Sequence, residues 1–194
     1  MTWLVVCAVC LGVTGFARTA SAQDVAKVEV SGGWNYQALK SNDDEDWTHF
    51  SKGWYASAVG NINSWIGVAT EIGGNYRTCA KCERGPFTSQ TFRGTDLHLK
   101  VYTYMAGPRF ASHAISAVTP FAQVLIGGSH ASGGIEFDGA LNSGLTYQPG
   151  AGIEINVTPR VGVQLEGDYR VIRTTGHDNK ESRVLAGVVF RSGQ

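Results

Sequence analysis

His130 and Ser132 stand two residues apart, and Glu136 follows four residues later. A serine hydroxyl activated by a positioned imidazole, itself oriented by a carboxylate, is the machinery of acyl transfer. The spacing is weak support for it. His-x-Ser arises often by chance, Gly133 follows directly, and Ser129 to Gly134 reads as a Ser/Gly-rich loop, which is the preferred reading. A second group is the acidic run Asn42-Asp43-Asp44-Glu45-Asp46. Clustered carboxylates suit a hard cation such as Ca²⁺, but the run lacks an Asp-x-Asp-x-Asp-Gly frame. A solvated loop is preferred, so no metal and no cofactor is assigned. Cys79 and Cys82 form one C-x-x-C. A zinc site needs two more ligands, which no second C-x-x-C supplies. Thioredoxin-like chemistry needs a βαβ context. Outside the cytoplasm, a short local disulfide between Cys79 and Cys82 is expected.

A larger set of ionisable groups recurs along the chain at alternate positions. Glu71, Glu154 and Glu166 are expected to face Lys100, Arg170 and Arg183 across an enclosed space. One function for such a set is an ion path. A satisfied plug is preferred, because an unpaired buried charge is costly.

The elements that would hold these groups are strands. From Val28 the even positions read Val, Val, Gly, Trp, Tyr, Ala, and the odd positions from Lys27 read Lys, Glu, Ser, Gly, Asn, Gln. A period of two marks a strand with one apolar and one polar face. The pattern returns over 52–62, 65–76, 95–107, 119–130, 145–157, 160–172 and 182–191. In 95–107 the apolar face is taken as Leu97, Leu99, Val101 and Met105, opposite Lys100, Tyr102 and Tyr104. Eight segments of roughly 9–13 residues match the length of a tilted strand that crosses a bilayer. Short connections at Asn63-Ser64 and Thr158-Pro159 alternate with long polar ones. Short turns on one rim and long loops on the other mark outer-membrane barrels.

Composition and termini agree. The 194 residues carry 16 Lys+Arg and 16 Asp+Glu, for a formal net charge of +0. That balance offers no electrostatic footprint for nucleic acid. No uninterrupted apolar run approaches the roughly 18 residues of a helical span. Residues 3–16 are almost wholly apolar and lead to Ala20-Ser21-Ala22, an A-x-A site, although no Lys or Arg precedes the run. Residues 1–22 are therefore expected to be a signal peptide and 23–194 the barrel domain. A soluble lipocalin-like barrel would show the same alternation with its faces reversed. Strand length, the uncharged apolar face, and Trp34, Trp54, Tyr76, Tyr169 and Phe190 near strand ends favour the membrane.

Ala106-Gly107-Pro108-Arg109-Phe110, Pro120-Phe121-Ala122-Gln123-Val124-Leu125 and Gly150-Ala151-Gly152-Ile153-Glu154 carry a family resemblance. Arg160-Val161-Gly162-Val163-Gln164 leading to Asp168-Tyr169, and Gly187-Val188-Val189-Phe190-Arg191, complete it. In order and spacing these stretches resemble the small outer-membrane β-barrel proteins of the OmpA-like transmembrane domain superfamily. The resemblance implies an all-β, eight-stranded antiparallel up-and-down transmembrane β-barrel, exported by its signal peptide to the bacterial outer membrane. It departs at its end: many such barrels finish on an aromatic, whereas Phe190 is followed by Arg191-Ser192-Gly193-Gln194.

The function expected is a non-catalytic structural or surface-interaction role, with outer-membrane lipid and an extracellular ligand of the loops as partners, and a monomeric state. Narrow transport or binding of a small apolar molecule is the alternative. A lipid A-modifying enzyme ranks third, since lipid A deacylases carry a His-x-Ser pair like His130 and Ser132 with a downstream Glu.

Overall fold

The computed structural model describes residues 25–40, 47–50, 52–79, 97–133, 144–174 and 177–192. Alternation becomes strand along most of them. The elements are β1 (Val28–Lys40), β2 (Trp47–Phe50), β3 (Lys52–Asn61), β4 (Ile66–Cys79), β5 (Leu97–Ala111), β6 (Val118–Gly133), β7 (Gly144–Asn156), β8 (Val161–Thr174) and β9 (His177–Ser192). β2 and β3 both pair with β1 and form one stave of the barrel. Every other neighbour in sequence pairs antiparallel. β1 also pairs with β9, from Val28↔Ser192 to Lys40↔Lys180, and this ladder closes the sheet. The result is a closed eight-stranded antiparallel barrel.

Local chemistry fixes the tight turns. Asn63 Oδ1 accepts the backbone N–H groups of Trp65 and Ile66, both at 2.9 Å. Thr158 Oγ1 does the same for Arg160 and Val161, at 3.3 and 3.0 Å. Asn and Thr favour turns because their short side chains can hold the backbone in this way. At the intermediate turn between β5 and β6, His113 Nδ1 lies 2.9 Å from Ser64 O, and Asn156 Nδ2 donates to Ser116 O at 2.8 Å. All three described turns therefore knit one rim.

The two faces settle what the barrel sits in. Val30, Val68, Ile72, Ile126, Val184 and Phe190 point outward and are exposed. Asn35, Gln37, Glu71, Gln148, Arg170 and Arg183 point inward and are buried. A protein in water would invert this arrangement, since a continuous apolar belt of this height is not tolerated on a soluble surface. In a bilayer, lipid tails cover that belt while the backbone groups pair from strand to strand around the barrel.

An apolar cluster of Val59, Ala69, Met105 and Leu125 fills part of the interior. Eight strands leave room inside only for side chains. Some positions leave less: a Cβ on Gly53 would lie 2.2 Å from Asn75 Oδ1 and 2.3 Å from Asn35 Oδ1.

Candidate functional site

The lumen holds two groups of ion pairs, one above the other. In the half nearer the long loops, Arg183 is the hub. Its Nη2 lies 2.5 Å from Glu71 Oε1 and 2.9 Å from Asp168 Oδ2, and its Nε donates to Asp168 Oδ2 at 3.0 Å. Arg170 stands beside it, 3.8 Å from Glu71 and 3.6 Å from Glu181, and donates through Nε to Gln148 Oε1 at 2.8 Å. Register builds this group. Asp168 and Arg183 are opposite each other across β8 and β9, as are Arg170 and Glu181, so each pair shares the inward face. Glu71 reaches them across the lumen from β4.

In the half nearer the turns, Glu154 bridges two guanidiniums. Arg109 donates to its Oε1 and Arg191 to its Oε2. Arg109 also lies over the Phe121 ring, 3.7 Å from its centroid, a desolvated cation–π contact. Below, the lumen opens into a vestibule of about 730 Å³ lined by Glu29, His113, Thr119, Asn156 and Arg191 among others. Glu29 accepts from Asn61 Nδ2 at 2.8 Å.

Between the two halves sits Glu166. Gln123 donates to its Oε1 at 2.6 Å and Gln164 to its Oε2 at 2.9 Å. Amides, not a guanidinium, hold this carboxylate. Gly150 makes the space for it, since a Cβ there would lie 2.8 Å from Glu166 Oε1.

Five of the six charged residues singled out in the sequence lie inside: Glu71, Glu154, Glu166, Arg170 and Arg183 are buried in the lumen. They are not one set, because Glu154 belongs to the turn-side group and Glu166 is held apart by amides. Lys100 is a correction, for it is exposed on the outward face. The register gives the reason. Glu71 opposes Met105 across β4 and β5, so Met105 follows it inward with Val101 and Thr103. Lys100 opposes Tyr76 and goes outward with it. The faces of β5 are thus the reverse of the sequence assignment. Arg109, Asp168, Glu181, Arg191 and Glu29 were missing from the expected network. Asp168 and Glu181 show a usable signal, since each is opposite a singled-out arginine on the neighbouring strand.

His130 opposes Tyr102 and Ser132 opposes Lys100, so the pair sits at outward register positions at the long-loop end of β6. Glu136, the run from Asp43 to Asp46, Cys82 and residues 1–22 lie outside the described residues. Cys79 ends β4. Among the described residues no group of three or more His, Cys, Asp or Glu is placed to hold a metal ion.

A family described as "Outer membrane protein beta-barrel domain" matches residues 7–191. The chain belongs to that family of bacterial outer-membrane barrels. Solved structures show the same fold. Neisserial surface protein A is 16% identical, with a TM-score of 0.67, covering 88% of this chain and 100% of its own. Ail of Yersinia pestis, solved with the heparin analogue sucrose octasulfate, is 18% identical with a TM-score of 0.56, over 87% of this chain and 99% of its own. OprG of Pseudomonas aeruginosa is 8% identical with a TM-score of 0.53, over 88% and 98% respectively. No curated protein matches the chain in sequence. As a member of this family the protein lies in the bacterial outer membrane and spans it with its strands.

Proposed function

We propose that this protein is a sealed, non-catalytic outer-membrane barrel that acts through its outer surface and loops. In this reading residues 1–22 are its signal peptide, residues 23–194 the barrel domain, and the working unit a monomer. One observation carries it: the lumen cross-section is occupied at two levels by buried, ion-paired charges. Glu71, Asp168 and Glu181 surround Arg170 and Arg183 at one level, and Arg109 and Arg191 clasp Glu154 at the other. A solute crossing this lumen would have to break ion pairs in a low-dielectric interior, where removing one partner costs about 3–5 kcal/mol. The function then falls to the surfaces that face lipid and the outside; Ail, the attachment invasion locus protein of Yersinia pestis, was solved with the heparin analogue sucrose octasulfate.

The test is single-channel recording on the purified barrel in planar bilayers, paired with liposome swelling by small sugars. The expected result is no steady conductance and no swelling. Steady conductance or swelling would sink the sealed-lumen reading. Ser132→Ala with lipid A profiling addresses catalysis, and a changed acylation pattern would overturn the non-catalytic reading.

A further inference from the structure

Glu29 and Arg191 are opposite each other in register across β1 and β9, yet they form no ion pair. Arg191 turns the other way. Its guanidinium passes over Gly162 of β8, where a Cβ would lie 3.1 Å from Nη1, and reaches Glu154 on β7. Only a glycine leaves that path open. Glu29 is left with an amide: Asn61 Nδ2 donates to its Oε1 and to Ala26 O, both at 2.8 Å. The acid is 5% exposed, and no described cation pairs with it. A buried carboxylate without a cation is costly, so its one open side matters.

That side is the turn-side vestibule of about 730 Å³, and its other wall has the opposite excess. Arg160 and Arg191 line it together with Glu29. Arg160 is exposed and pairs with no described acid. Its backbone is pinned: the Arg160 N–H donates to Thr158 Oγ1 at 3.3 Å, and Arg160 O accepts the Arg191 N–H at 2.9 Å. Arg191 shares its one acid, Glu154, with Arg109. One cavity therefore holds an acid short of a cation on the β1 side and guanidiniums short of acid on the β8 side. β1 and β8 are two strand spacings apart, roughly 10 Å, and side chains reaching inward shorten that span. Val25, Val157 and Pro159 add apolar lining.

We propose that the turn-side vestibule binds a short zwitterionic peptide, its ammonium at Glu29 and its carboxylate between Arg160 and Arg191. The two signs of unused charge on facing walls select a ligand that carries both. Their separation selects its length. At about 3.5 Å per residue, an extended dipeptide holds its two charges roughly 7 Å apart, whereas a free amino acid holds them too close to serve both walls. Guanidiniums suit the carboxylate end, since they accept its two oxygens through a planar fork. The cavity opens at the short-turn end, which faces the periplasm in this architecture, so periplasmic peptides reach it. This inference concerns the mouth of the barrel and does not rest on the lumen being sealed.

The experiment is a ligand-observed NMR titration of the full folded barrel, in an uncharged detergent at low salt. The probes are alanyl-alanine, its N-acetyl form, its C-terminal amide and free alanine. Wild type is expected to bind alanyl-alanine about tenfold more tightly than each of the other three, the weight of one charge-assisted hydrogen bond. Glu29→Gln is expected to abolish the preference over the acetylated peptide and to keep the preference over the amide. Arg160→Gln is expected to do the reverse in part, cutting the preference over the amide about threefold, because Arg191 remains. Heat-modifiable gel migration reports whether each variant folds. Arg160 is exposed and without an ion pair, so its variant gives a readout even where Glu29→Gln does not fold. No binding of alanyl-alanine at millimolar concentration, equal binding of all four probes, or unchanged preferences in the folded variants would each overturn the site. A barrel that conducts yet keeps these preferences would sink the sealed-lumen reading and leave this site standing.

Discussion

The two halves of the lumen solve the same problem with opposite charge. In the loop-side half two arginines sit among three acids, Glu71, Asp168 and Glu181. In the turn-side half one acid, Glu154, sits between two arginines. Their packing differs too. Arg109 lies against Phe121, so the turn-side group is backed by a ring. The loop-side group is surrounded by amides, and Gln37, Asn75 and Gln148 have buried polar atoms that make no hydrogen bond to a described residue. The contrast shows that neither ion-paired group balances on its own: the extra acid of the loop-side group offsets the extra guanidinium of the turn-side group. No single counter-ion serves the whole lumen.

Removing a hub should therefore hurt the loop-side half most. Arg183→Met leaves Glu71 and Asp168 facing each other without their shared cation. It is expected to cost about 4 kcal/mol of folding stability, read by reversible urea unfolding in lipid bilayers. Replacing Glu71, Asp168 and Arg183 together by apolar residues of similar volume should recover most of that loss. A triple variant as unstable as Arg183→Met would mean that shape, not charge, sets the cost.

Glu154→Gln strands two guanidiniums at the other end. The expected cost is about 3 kcal/mol, smaller because Arg191 is 11% exposed and can turn toward water in the vestibule. A cost above that of Arg183→Met would reverse the ranking of the two halves.

Two finer changes sharpen the comparison. Gln123→Leu removes one of the two amide donors on Glu166, the acid between the halves. About 1.5 kcal/mol of destabilisation is expected, since a buried charged acceptor loses a partner. Phe121→Leu keeps the apolar volume near Arg109 but removes the ring face. It should cost about 1 kcal/mol, and less in a Glu154→Gln background where the arginine is already displaced. Additivity of Phe121→Leu and Glu154→Gln would break the picture of a coupled turn-side group.

The strands, their number and their two faces were legible in the sequence, because a period of two is a property of the chain itself. Observed strands such as β1 at Val28–Lys40 and β8 at Val161–Thr174 begin at or one residue after the expected segments. Asn63 and Thr158 were legible as turn residues for the same reason: their bonds reach only two or three residues along the chain. Polar inward and apolar outward also followed wherever one face was charged, as in β8, where Gln164, Glu166, Asp168 and Arg170 alternate with Val163, Leu165, Gly167 and Tyr169.

In β5 alternation alone misled. Val101 and Met105 on one side and Tyr102 and Tyr104 on the other are both apolar enough for lipid. The pattern shows that there are two faces but not which one looks outward. Only the ladder from Glu71 to Met105 decides it, and with it the outward place of Lys100. The pairing of charges across the lumen was illegible for a related reason. Glu71 and Arg183 are 112 residues apart in the chain, and they meet only once the β1–β9 ladder has closed the barrel and fixed its stagger. The sequence by itself determined the strands, their turns and the residues able to carry charge inside a membrane. The closed tertiary structure alone decided which of those charges meet, because contact across a lumen depends on register and stagger, which no local pattern encodes.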